Sequence, residues 1–330
     1  MRRIVTAMTA LAVLVFGAGC RSPFEGSILV ALKVEGEPAR ADWDRTVPVD
    51  LAVWRGNVNV REEMVALDRE TSHISTPECH HGPSTSDPVP VRIRALYNGE
   101  ELFLSARWKD ATRDTELGSW ERTPEGWTAR PDADDGIAFL WEQGQGTPFR
   151  CQLACHLVEV DVFDGGTQMR MAMKNAGESV WDLWRWRSGV TGPFGQADDM
   201  VVDHDGKRGD EGLVLPTVNR SERGGGPAVA KGDVTPFYIA RAAEGRQADV
   251  TARGRWEDGW WEVLFRRSLD TGDPDDVILR PGGWAVFGVS VFDNTWTEHH
   301  VLDSGVQLLL WDGTSRAADE WRDLDEAMDF

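Results

Sequence analysis

The chain is short of positive charge. Its 330 residues carry 35 Lys+Arg against 55 Asp+Glu, a formal charge of −20. Phosphate backbones repel such a polyanion, which excludes general nucleic-acid binding. Beyond the N-terminal segment, no stretch supplies the ~20 consecutive apolar residues that a membrane-spanning helix needs. Helical periodicity is scarce, internal repeats are absent from the sequence, and 2 Tyr stand beside 16 Trp. The composition is not that of a disordered chain, because 41% hydrophobic residues can fill a core and only 27% are charged. Tryptophan supplies large rigid apolar walls. These suit a β-sandwich core, a sugar platform or a pocket for a flat cofactor.

The N-terminus has the layout of an export signal. Arg2 and Arg3 precede an uncharged apolar run from Ile4 to Phe16, which ends in Gly17-Ala18-Gly19-Cys20. That run is too short to span a membrane. Ala18-Gly19-Cys20 looks like a lipobox, with Gly17 where a leucine is usual. The expected product is an exported, periplasmic lipoprotein cleaved before Cys20 and held to the membrane by a lipid there; cleavage and release is the alternative. Loss of the two arginines takes the mature charge from −20 to −22. The remainder folds where disulfides are permitted.

From about residue 27 onward the pattern is one of short strands separated by turns. Val91–Leu96 and Leu102–Trp108 flank Asn98-Gly99, and Val250–Trp256 and Trp260–Phe265 flank Asp258-Gly259. Both dipeptides are strong hairpin signals. Gly136–Trp141, Val158–Phe163, Trp284–Phe292 and Val306–Trp311 complete the predicted strands. This spacing predicts an all-β antiparallel sandwich. Short helices are predicted near Val180–Arg187 and in the acidic stretch Ala317–Met328. Residues 203–235, with Gly224-Gly225-Gly226 at their centre, read as a long surface loop inside one domain of residues 21–330.

The string Cys151-Gln-Leu-Ala-Cys155-His156 carries chemistry. Two thioether bonds hold a c-type haem, and the histidine after the second cysteine is placed to bind iron axially. The usual spacing has two intervening residues, where this string has three. A local disulfide, or a zinc site that borrows His80 and His81 beside Cys79, are the alternatives.

The surroundings bear on that choice. After the string come Met169, Met171 and Met173, then Trp181-Asp-Leu-Trp-Arg-Trp-Arg187 and Thr191-Gly-Pro-Phe-Gly-Gln-Ala-Asp-Asp199. Leu96-Tyr-Asn-Gly99, Trp108-Lys-Asp110, Asp135–Trp141, Arg266–Gly272 and Phe287–Asn294 follow the same family order. Over about residues 38–312 the sequence resembles the ethylbenzene dehydrogenase-related haem-binding family, here as a stand-alone exported variant. That family includes γ subunits of dimethyl-sulfoxide-reductase-type molybdoenzymes. The resemblance implies an immunoglobulin-like β-sandwich with long loops and a few short helices, and an electron-transfer haem protein rather than a catalyst.

In the γ subunits the haem is b-type, held by methionine and lysine. Here the two cysteines favour c-type attachment, and Arg266-Arg267-Ser268 stands where relatives often place a lysine. Cys151 and Cys155 are then the thioether residues and His156 the proximal ligand. Met171, Met173, His299 and His300 are candidates for the sixth position, with His80 or His81 behind them. Trp184 and Trp186 are candidates for a porphyrin wall, with core packing as the alternative. Arg185 and Arg187 are candidates for pairing with propionates. Asp198-Asp199 reads as a turn, and Asp203, Asp205 and Gly206 form too little of a calcium loop to assign calcium. The implied partner is a redox protein, either a respiratory oxidoreductase or a basic cytochrome. The competing function is a Trp-lined carbohydrate- or ligand-binding sandwich with a Cys151–Cys155 disulfide.

Overall fold

The computed structural model describes residues 27–58, 79–81, 88–116, 119–124, 126–129, 133–143, 155–161, 167–173, 175, 180–209, 234–236, 240–294, 299–302 and 304–313. Outside these residues lie the export segment with Cys20, the first string cysteine Cys151 and the acidic stretch expected to be helical.

Strands dominate, because β-branched and aromatic residues alternate with polar ones between glycine- and aspartate-containing turns. In chain order they are β1 (Ser27–Lys33), β2 (Val49–Val58), β3 (Cys79–His81), β4 (Val89–Tyr97), β5 (Glu101–Lys109), β6 (Ser119–Thr123) and β7 (Gly126–Ala129). Next come β8 (Gly136–Glu142), β9 (Cys155–Asp161), β10 (Thr167–Met173), β11 (Trp181–Arg187), β12 (Asp198–Asp203) and β13 (Gly206–Gly209). The last are β14 (Val234–Pro236), β15 (Thr251–Glu257), β16 (Trp260–Ser268), β17 (Trp284–Phe292), β18 (His300–Val301) and β19 (Val306–Trp311). Helix among the described residues amounts to α1 (Arg40–Trp43) and two 3-10 turns, Gly192–Phe194 and Gly245–Ala248.

The predicted β-sandwich is the observed architecture. One layer runs β13-β12-β11-β8-β17 and continues through β19; the other runs β2-β4-β5-β16-β15. Pairing is antiparallel except at β1, which lies parallel to both β19 and β4 and so passes from one layer to the other. The short β18 makes a second link, from β17 to β2. Both predicted hairpins form. At Asp258-Gly259 the φ angles are 51° and 79°, the left-handed pair that a two-residue primed turn requires. The inward faces of the two layers make one core. Phe139 meets Phe265 edge-on at 5.1 Å, and Trp186 meets Trp261 at 5.1 Å. Trp186 fits only because residue 254 is glycine, since a Cβ there would overlap its ring.

Two local expectations are corrected, and a third is bounded. Trp181–Arg187 is a strand, not a helix. It is paired on both sides, to β8 and β12, so its backbone groups are satisfied in the sheet. Asp198-Asp199 opens β12 instead of forming a turn, and Asp199 is fully buried. The proposed loop at 203–235 is structured at both ends, by the β12–β13 hairpin and by β14. Within that hairpin Asp203 Oδ1 accepts the Asp205 N–H at 2.9 Å, an ordinary aspartate turn.

Candidate functional site

Strand β11 has two faces with different duties. In an extended chain alternate residues share a side. Asp182, Trp184 and Trp186 therefore face the core between the layers, and Trp181, Leu183 and Arg185 face the other way. Trp184 and Trp186 are each 1% exposed and belong to the inter-layer core. Trp184 lies 4.6 Å from Trp141, and Trp186 lies 6.2 Å from Trp108. Their placement is core packing. Arg187 is also interior, and its guanidinium is ion-paired with the buried carboxylate of Asp134. It is therefore committed to the fold and is not a propionate partner.

The outward face of the same layer carries a second, smaller apolar cluster. It contains Ala138, Leu140, Trp181, Leu183, Met200, Val202 and Phe292. Two of the expected site residues border it. The Arg185 guanidinium lies 4.6 Å over the Phe292 ring, and the His299 ring lies 5.2 Å from the same ring at a tilt of 30°. A third, Met173, packs against the cluster directly. His300 is half-buried in β18, where its backbone pairs with Val291 and Arg55.

The end of the string lies on a two-stranded ribbon. Cys155 and His156 open β9, and β10 returns antiparallel with Met173 opposite Cys155, Ala172 opposite His156 and Met171 opposite Leu157. His80 and His81 lie on β3, whose backbone pairs with the end of β2.

Beside the apolar face opens a cleft of about 630 Å³. Val286 belongs to both, packing on the cluster and lining the cleft. Arg280 and the 48%-exposed Trp284 stand on the other walls. Its volume is within the range of small-molecule sites. Trp108, Trp141, Trp184, Trp186 and Trp261 are all buried.

Asp276, also at the cleft wall, leads into a buried charge cluster that the sequence did not disclose. The Arg267 guanidinium is 2.7 Å from Asp276, 3.4 Å from Asp182 and 3.9 Å from Asp199, and it lies 5.0 Å over Trp184. All four side chains have almost no exposure. Burial opposes the charge of Arg267, yet the three carboxylates outweigh it and hold the guanidinium protonated. Burial raises the Asp182 carboxyl to about 6 against the lowering pull of Arg267, with Asp276 adding to the rise. The segments that supply these groups are far apart in sequence. The available signal was the presence of Asp182, Asp199 and Arg267 in the family-like strings Trp181–Arg187, Thr191–Asp199 and Arg266–Gly272; Asp276 lies outside them.

The chain is 25% identical to cytochrome c-552 of Stutzerimonas stutzeri over 227 residues. That match covers 64% of this chain and 59% of the relative, so it spans less than two thirds of the relative's length. Among solved structures, a carbohydrate-binding module of family 9 from Caldicellulosiruptor kristjanssonii is similar in its glucose and cellotriose complexes. The glucose complex is 10% identical, with a TM-score of 0.33 over 88% of this chain and 98% of that one. The cellotriose complex is 9% identical, with a TM-score of 0.30 over 89% and 97%. A family model described as ethylbenzene dehydrogenase matches residues 40–304, which takes in β2 to β18, the ribbon among them, and the Arg267 cluster. The chain belongs to the ethylbenzene dehydrogenase family.

Proposed function

We propose that this chain is an exported electron-transfer haem protein, with the haem attached through Cys151 and Cys155 and His156 as an axial ligand. The observation that carries the reading is the placement of the Cys155-His156 pair. It opens a ribbon that packs, through Met173, on an apolar sheet face bordered by Arg185 and His299. Family membership and the match to a cytochrome c-552 support it.

The residues fit the group. When bound, haem supplies a single iron that takes up and gives back one electron. Trp181, Leu183, Met200 and Phe292 exclude water from the sheet face and lower the local dielectric. Arg185 offers a guanidinium fork to an anionic edge. His156 holds its place by covalent linkage of its neighbour Cys155. Met171, Met173, His299 and His300 are the candidates for the sixth ligand, ahead of His80 and His81. Lipidation of Cys20 would keep the protein at the periplasmic membrane surface. Its electron partner would be a respiratory oxidoreductase or a basic cytochrome.

The test is an absorption spectrum of the exported protein, oxidised and reduced, with a pyridine haemochrome on the same sample. The host must mature c-type cytochromes. A haem that stays with the protein through acid-acetone extraction is the expected result. Extractable haem would point to b-type binding with Cys151 and Cys155 as a disulfide. A colourless protein would overturn the reading and favour a ligand-binding module that uses the Trp284 cleft.

A further inference from the structure

A second acidic group lies at one end of the sandwich, beyond Phe292. Asp110 follows β5, Asp135 immediately precedes β8, and Asp293 immediately follows β17. The β8–β17 pairing sets Gly136 opposite Phe292, which brings Asp135 and Asp293 together. The Asp110 N–H donates to the Gly259 carbonyl at 2.9 Å, which fixes Asp110 to the β15–β16 turn in the other layer. One carboxylate oxygen from each of the three residues lies within 4.8 Å of the others.

We propose that Asp110, Asp135 and Asp293 bind a divalent cation, with calcium as the best match. Calcium takes oxygen ligands at about 2.3–2.6 Å, so two oxygens on one ion are at most about 5 Å apart, and these three satisfy that limit. The cluster is also incomplete without a positive charge. Asp110 is 3% exposed, and its Oδ2 is buried with no hydrogen-bond partner among the described residues. A buried carboxylate oxygen left in this state carries a desolvation cost that a cation would offset.

No Lys, Arg or His among the described residues forms an ion pair with any of the three. The Arg267 cluster is the contrast, since there a guanidinium already fills the centre. Burial, then the charges of Asp135 and Asp293, raise Asp110 to about 7. Asp135 is raised to about 6, chiefly by burial, although it accepts N–H bonds from Asp114, Asn294 and Trp261. Those three bonds hold its oxygens in place as a preset ligand pair. Asp293 is exposed and leaves a route from solvent.

A cation held here would join the two layers, because Asp110 comes from one and Asp135 and Asp293 from the other. Its binding should therefore be read in stability as well as in affinity. The full mature protein, stripped with EDTA, is titrated with CaCl₂ by calorimetry and melted with and without calcium. One equivalent should bind, and the midpoint should rise by roughly 5 °C at a hundredfold excess over Kd. Asp293→Asn alters an exposed side chain, so it should fold normally and lose at least tenfold in affinity. Wild-type protein with no heat of binding and no midpoint shift overturns the proposal. So does an Asp293→Asn protein that binds as tightly as wild type, since the ion would then be held elsewhere. Neither result depends on haem being bound.

Discussion

Arg267 shows how one side chain can commit a buried site. It meets Asp182, Asp199 and Asp276 where solvent does not reach, and its second nitrogen donates to the Val277 carbonyl at 2.9 Å. Removing one partner of a buried ionic cluster costs more than the cluster contributes, because the charges left behind remain desolvated. Arg267→Met should therefore destabilise the protein by about 3–5 kcal/mol in urea unfolding. Arg267→Lys should cost less, since it keeps the charge while losing the planar fork. A cost below about 1 kcal/mol for the methionine variant would mean that the carboxylates are protonated and need no cation. Asp182 adds a pH dependence. Its folded carboxyl is raised to about 6 from an unfolded value of 3.8, so the fold holds the proton more tightly than the unfolded chain does. The associated stability is present at pH 4, falls as pH rises towards 6 and is constant above that. Asp182→Asn should flatten this part of the melting-temperature profile between pH 4 and 6, and an unchanged slope would assign the titration to another group.

At the scale of elements, the hairpins were legible because their turns are chemical signals. Asn98-Gly99 and Asp258-Gly259 fix register locally, and the paired strands follow. Strand β11 was harder to read. Trp181 and Trp184 are three apart and fit a helical face, whereas Trp184 and Trp186 fit an extended one. The neighbours β8 and β12 decide between them, and their paired residues lie 39 to 51 positions before and 13 to 21 positions after those of the strand. Short-range pattern could not contain that information. The ribbon β9–β10 is the element on which the proposed haem site depends, and two-stranded ribbons are marginal alone. It is held to the rest through Met173 on the Phe292 cluster. His156→Ala should shift the axial-ligand bands of the haem spectrum, and unchanged bands would reject His156 as a ligand. Met171→Leu and Met173→Leu sort the sixth position: a shift in either would make that methionine an iron ligand, and no shift in both leaves the position to a histidine.

For the whole molecule, charge is the dominant property. The formal value is −20, and loss of Arg2 and Arg3 with the proposed signal leaves −22. A field of that size favours the more positive, ferric form of a bound iron and so lowers its potential. It also steers diffusing cations and basic proteins towards the surface, more strongly when the ionic atmosphere is thin. The Debye length is about 30 Å at 0.01 M and 3 Å at 1 M, so salt can remove the field without changing any contact. Stopped-flow oxidation of the reduced protein by a basic cytochrome should therefore slow by about tenfold or more between these limits. An acidic cytochrome of similar potential should show the opposite trend, because salt then screens repulsion. If both partners give the same salt dependence, long-range charge does not select the partner. Docking contacts would then have to do so, and the apolar face beside Arg185 and His299 would be the first surface to mutate.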